Sequence, residues 1–121
     1  MDAAESSTRH VEFCPLDTTL KLIDGKWKTI ILCRLMDHDY RFTELLRTLS
    51  GCTRRMLALQ LEQLEHDQIV IKTTDTNYVP TKTSYSLSKI GRSLVPLILA
   101  LNRWGRAYLK EVQPVTLTSD S

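Results

Sequence analysis

The chain has no hydrophobic run approaching ~18 residues, so nothing in it reads as a membrane span. Glycine is scarce, four in 121 residues, and no glycine-rich phosphate loop is present. The three cysteines and three histidines form no C-x-x-C or H-x-x-x-H pair, so neither a preformed zinc site nor a dithiol redox centre is expected. No plausible catalytic triad appears. The expectation is therefore a non-enzyme with no cofactor and no metal. The first ten residues, MDAAESSTRH, are acidic and polar and do not resemble a signal peptide. That points to a cytoplasmic protein whose Cys14, Cys33 and Cys52 are reduced by default. Three is also an odd number, which argues against a self-contained disulfide framework.

A large net charge is missing too. Lys and Arg number 16 against 14 Asp and Glu, for a formal +2. This excludes a histone-like binder, but the near-neutral sum conceals segregation. Residues 1–25 carry −3, 26–60 carry +4, 61–67 carry −3, 68–92 carry +3, and the remainder +1. Two positive blocks around a short acidic stretch are a local field, not a bulk property. The length suits one domain, and the hydrophobic fraction of 42% is enough for a core.

The elements follow from periodicity. Residues 1–13 read as an N-terminal arm. Pro15 opens a helix carrying Leu16, Leu20 and Ile23, which Gly25 ends. Trp27, Ile30, Ile31 and Leu35 then lie at i, i+3, i+4, i+8, and Leu32 and Met36 widen the stripe of a central helix. Tyr40-Arg41-Phe42 suits a very short strand. Phe42, Leu45, Leu46 and Leu49 make a short amphipathic helix ending at Gly51. Thr53 can cap the next helix, whose buried stripe is Leu57, Leu61 and Leu64. Ile69-Val70-Ile71 and Thr83 to Leu87 read as two strands of a hairpin, with residues 74–82 as its tip. Ser88 can cap a last helix with the stripe Ile90, Leu94, Leu97, Ile98, Leu101, Trp104 and Tyr108. Pro96 should kink it or mark a distorted turn. Residues 112–121 read as a flexible tail. This order is that of a mainly α, α+β winged helix-turn-helix with a two-stranded wing, and the domain spans 14–111.

The helix beginning at Thr53 carries the functional signal. Arg54 and Arg55 sit in its first turn, and Glu62, Glu65 and Asp67 fall in its second half. This opposes the helix dipole and costs roughly 0.3–1 kcal/mol per charge at worst. A DNA-reading helix meets the duplex with its N-terminal residues, so this arrangement suits double-stranded DNA. Arg55, Ala58 and Leu59 fall broadly opposite the buried stripe, and Ala58 or Leu59 suits thymine methyls. Lys72 and Lys82 flank the hairpin tip, where Asn77, Tyr78 and Thr81 also lie. Arg41 and Thr43 begin the short helix, whose N-terminus suits a phosphate. Lys26 and Lys28 are weaker candidates beside Trp27. For each lysine alone, solubility is the competing explanation.

Three segments carry a resemblance: CPLDTTLKLIDGKWKTIIL (14–32), RFTELLRTLSGCTRRMLALQLEQLEHDQIV (41–70) and PTKTSYSLSKIGRSLVPLILALNRWG (80–105). In this order and spacing they resemble the HxlR-type winged helix-turn-helix transcriptional regulators, relatives of the MarR group. The resemblance implies a homodimeric repressor or activator on a palindromic operator, with the first and last helices at the dimer interface. The stripe Leu94, Leu97, Ile98, Leu101, Trp104 and Tyr108 fits that role independently. The resemblance also implies that Cys14, just before Pro15, corresponds to a thiol that senses quinones, aldehydes or oxidants in several members. Cys52 departs from the pattern, which usually has an apolar residue there. At a positive helix end beside Thr53 its thiol is expected to be acidified. If the dimer brings Cys14 of one subunit near Cys52 of the other, an intersubunit disulfide is expected to reset the reading helices. Cys33, mid-helix, is expected to be buried and inert. A small aromatic effector is a further candidate partner, in a pocket near Trp27, Trp104 and the first helix of the dimer. The alternatives are a small-molecule-responsive regulator without thiol chemistry and a winged-helix interaction module that does not bind DNA.

Overall fold

The computed structural model describes residues 14–112. The expected arm at 1–13 lies outside them, as does the tail from 113 onward. Helix α1 (Pro15–Leu22) begins on its proline. An exposed Lys21–Asp17 pair at 3.2 Å supports one turn of it. Gly25, at φ +101°, turns the chain into α2 (Lys26–Leu35). Few L-residues tolerate that angle, so glycine is required there. Strand β1 (Tyr40–Arg41) leads directly into α3 (Phe42–Arg47). The turn to α4 (Arg54–His66) passes through Gly51 at φ +86°. Strands β2 (Val70–Asp75) and β3 (Lys82–Leu87) form the wing. Helices α5 (Lys89–Ser93) and α6 (Val95–Val112) follow.

The core is the predicted stripes brought face to face. Ile31, Leu32 and Leu35 of α2 meet Leu45 of α3 and Leu57, Leu61 and Leu64 of α4. The three α4 leucines are essentially without exposed surface. Their burial contributes roughly 5–9 kcal/mol at about 1.5–3 each, an upper bound. Val70, Tyr85 and Leu87 close the core from the sheet.

The sheet is antiparallel in the order β1-β3-β2, with Tyr40 opposite Tyr85 and Val70 opposite Leu87. The wing strands are longer than periodicity indicates, and pair out to Asp75 opposite Lys82. In β2 every residue after Val70 is exposed, so no apolar alternation marked residues 72–75. Backbone hydrogen bonds to β3 hold them instead.

The last helix is not continuous. Ser88 caps as expected, its Oγ accepting from the Gly91 N–H at 2.9 Å. The chain then breaks at Leu94 into α5 and α6. Pro96 has no N–H for the Arg92 carbonyl and its ring would collide with that group. Gly91 lets α5 sit on the wing, since a Cβ there would strike the Ile69 carbonyl. The break corrects the expected stripe. Ile90 is left exposed, Leu94 is half-buried, and Ile98 is 5% exposed within the core of a single chain. Ile98 is therefore a monomer core residue, not a free interface residue. Leu97, Leu101, Trp104 and Tyr108 remain exposed, with Trp104 stacked on Tyr108 at 5.3 Å. Helix α1 buries none of its residues, and Leu16 is 68% exposed. Among the described residues no helix is long and apolar enough to cross a membrane.

Candidate nucleic-acid interface

The short helix, turn and following helix form the expected helix-turn-helix. In the turn the Cys52 N–H donates to the Leu49 carbonyl at 3.1 Å. Thr53 is the N-cap of α4, its Oγ1 accepting from the Met56 N–H at 3.1 Å. The hydroxyl thus has a structural task at the position proposed to face DNA. No acid lies in the first turn of α4. Arg54, Arg55, Ala58, Leu59 and Glu62 are exposed, opposite the buried leucines. The positive end and the acidic end of this helix are therefore both on the surface, well separated along it.

The wing brings more cations to the same place. Pairing of β1 with β3 sets the hairpin beside the start of α3. A cleft of about 540 Å³ results, lined by Arg41, Phe42 and Thr43, by Arg54, and by Lys72, Tyr78 and Lys82 of the wing, among others. Four cations and no carboxylate line it. The Arg54 guanidinium lies over the Phe42 ring at 5.3 Å, and the Lys82 Nζ over Tyr78 at 3.8 Å. Asp75 shapes the tip by accepting the Asn77 N–H at 3.0 Å. Val79 at the tip is 98% exposed.

Several expectations change here. Arg41 and Thr43 do not offer an empty helix N-terminus, because Glu44 Oε1 accepts the Arg41 N–H at 2.9 Å. A carboxylate already occupies that end, and the two side chains line the cleft instead. Lys26 lies over the Trp27 ring at 4.7 Å, the covering role foreseen for it. Lys28 is only 8% exposed and lines a groove with Leu59, Glu62 and His66. Periodicity indicated that α2 was buried over much of its surface, but not that a lysine would be buried with it. Phe42 and Tyr78 become supports for cations only through tertiary proximity, which no sequence spacing reveals.

The cysteines separate by environment. Cys14 is exposed and is the N-cap of α1. Cys52 is half-buried, and its Sγ–H points to the Thr53 carbonyl at 3.6 Å. Burial pushes its thiol above the usual range, which overturns the expected acidification. The Met56 N–H at this helix end is taken by Thr53, and Cys52 packs against the apolar core. Cys33 is half-buried rather than buried. It lines an apolar groove of about 490 Å³ between α2 and α6 with Ile30, Ile98 and Leu101. Among the described residues, no group of three or more His, Cys, Asp or Glu could hold a metal ion.

Comparison with known proteins agrees with the helix-turn-helix geometry. The model of the HxlR-like helix-turn-helix family matches residues 22–113. The HTH-type transcriptional regulator YdeP of Bacillus subtilis is 43% identical over 84% of this chain and 79% of its own length. The solved structure of the redox regulator HypR in its reduced form superposes with a TM-score of 0.73 at 41% identity, covering 78% of this chain and 92% of that one. Its oxidized form gives 0.71 at 42%, covering 78% and 96%.

Proposed function

Because the chain belongs to the HxlR-like helix-turn-helix family of transcriptional regulators, we propose that it acts as a homodimer that binds a palindromic DNA operator. Helix α4 enters the major groove with Arg54, Arg55, Ala58 and Leu59, and the wing meets the backbone through Lys72 and Lys82. The observation that carries this reading is the acid-free cleft joining the first turn of α4 to the wing. Phosphate is the ligand that four converging cations suit, and exposed Arg55 is free to reach base edges. The acids of α4 lie at its far end, away from the backbone.

Dimerisation is supported by the uncovered apolar face of α1 and α6. Leu16, Leu20, Leu97, Leu101, Trp104 and Tyr108 are all exposed, and such a surface favours a partner. Two reading helices of one dimer would address half-sites about 34 Å apart. Replacing Trp104 and Leu101 with polar residues should give a monomer in light scattering and abolish operator binding. A variant that stays dimeric would place the interface elsewhere.

The similarity to the redox regulator HypR supports thiol control through Cys14. A two-electron oxidant such as hypochlorite would take the exposed thiol to a sulfenic acid and itself be reduced to chloride. A second thiol, from Cys52 of the partner subunit, would then displace water to form a disulfide. Cys14 is exposed and Cys52 half-buried, which makes Cys14 the site of first attack. Non-reducing gels after hypochlorite or diamide, on wild type and Cys14→Ser, test this. Absence of a Cys14-dependent dimer band would refute it. For DNA, a gel shift over a salt series with wild type and Arg55→Ala is decisive. The wild type should show steep salt dependence, and Arg55→Ala should lose discrimination between operator and mutated operator.

A further inference from the structure

We propose that the cleft between α4 and the wing seats the phosphate backbone of the duplex, and that Phe42 and Tyr78 are positioning residues that hold Arg54 and Lys82 ready for it. The inference rests on the DNA-binding reading above and goes further by assigning work to two aromatic residues.

A long basic side chain on a surface is mobile, and ordering it on binding costs entropy. A carboxylate partner would order it but would also cancel its charge. An aromatic face orders a cation while leaving its charge and its N–H donors available. Both walls of the cleft use this device. On one wall the Arg54 guanidinium lies 5.3 Å from the Phe42 centroid. On the other, the Lys82 Nζ lies 3.8 Å from the Tyr78 centroid. All four side chains line the same cleft, which contains no carboxylate.

The Phe42 platform is itself fixed. Its ring is half-buried and packs on Tyr85 with centroids 6.5 Å apart and planes tilted by 55°. Tyr85 is a buried core residue of β3. Arg54 is thus tied through two rings to the centre of the domain. Arg55, its neighbour, is exposed. The two arginines divide the work: Arg54 sets register on the backbone, and Arg55 reads sequence.

Backbone contacts carry no sequence information, so a fluorescein-labelled duplex of mixed sequence is a sufficient probe. Binding is measured by anisotropy over a salt series. Arg54→Ala and Lys82→Ala should each reduce the slope of log affinity against log salt by about one. Phe42→Leu and Tyr78→Leu should weaken binding about two- to fivefold while leaving the slope at the wild-type value. Phe42→Tyr, which retains the ring, should restore the affinity. The loss from Phe42→Leu should vanish in the Arg54→Ala background, and that from Tyr78→Leu in the Lys82→Ala background. Tyr78 lies outside the core, so its pair gives the result even if Phe42→Leu harms folding. Equal losses with and without the cation would overturn the positioning role. A wild type with no salt-dependent binding to the duplex would instead overturn the DNA-binding reading itself.

Discussion

Thr53 is the residue on which local stability and function converge. Its Oγ1 accepts the Met56 N–H at 3.1 Å, the one side-chain cap at the start of α4. Thr53→Ala removes this acceptor and leaves an N–H of the first turn to water. The cost for such a cap is about 0.5–2 kcal/mol, typically about 1. The group is exposed, so water recovers part of the loss and the lower half of that range applies. For a domain of this size, about 1 kcal/mol lowers the melting temperature by roughly 4–8 °C. The same change multiplies fraying of the first turn by about five. Arg54 and Arg55 ride on that turn, so DNA affinity should fall as the competent fraction falls, with about fivefold as the upper limit. Thr53→Ser, which keeps the hydroxyl, should restore both quantities. Thermal unfolding by circular dichroism must be run at fixed protein concentration, because dimerisation shifts the midpoint. If Thr53→Ala unfolds at the wild-type temperature yet loses DNA affinity, the capping argument is wrong and the hydroxyl contacts DNA directly.

Three further outcomes are expected. Leu61→Ala empties a site that is 1% exposed and should cost about 2–5 kcal/mol in urea unfolding; a change below about 1 would mean that the core collapses to fill it. Tyr85 has its hydroxyl pushed above the ordinary value of 10.0, first by burial and then by Glu65. The folded chain therefore keeps this proton where the unfolded chain releases it, so the stabilisation is present below about pH 10 and fades as pH rises through the folded value. Tyr85→Phe should flatten the decline of urea midpoint over about pH 9–11, and an unchanged decline would assign it to other groups. With iodoacetamide under mild conditions, mass spectrometry should find exposed Cys14 alkylated before Cys52, whose thiol is raised by burial; the reverse order would contradict the described environments.

The legible features were those encoded within one or two turns of chain. Leu57, Leu61 and Leu64 are a stripe because a helix returns to one face every 3.6 residues, and all three are buried. Thr53 and Ser88 were recognisable as caps because a cap reaches only three residues ahead. Pro96 was recognisable as a disruption, but whether it bends a helix or divides it depends on what packs around it. Here the chain divides, and Ile98 enters the core while Leu101 and Trp104 do not.

Local rules failed where a side chain answered to distant neighbours. At Cys52, packing turns the thiol toward a carbonyl and apolar contacts rather than to the positive helix end. The outer half of β2 had no readable pattern because both its faces are exposed and only its ladder holds it. Sequence alone was enough for the family of fold, the helix stripes and the segregation of charge, because each depends on short-range order along the chain. The cleft was not accessible in that way. Arg41, Arg54, Lys72 and Lys82 are spread over more than forty residues, and they converge because β1 pairs with β3 and carries the wing to the foot of α4. Strand pairing between distant segments, and the direction each side chain takes within it, are properties of the folded chain only.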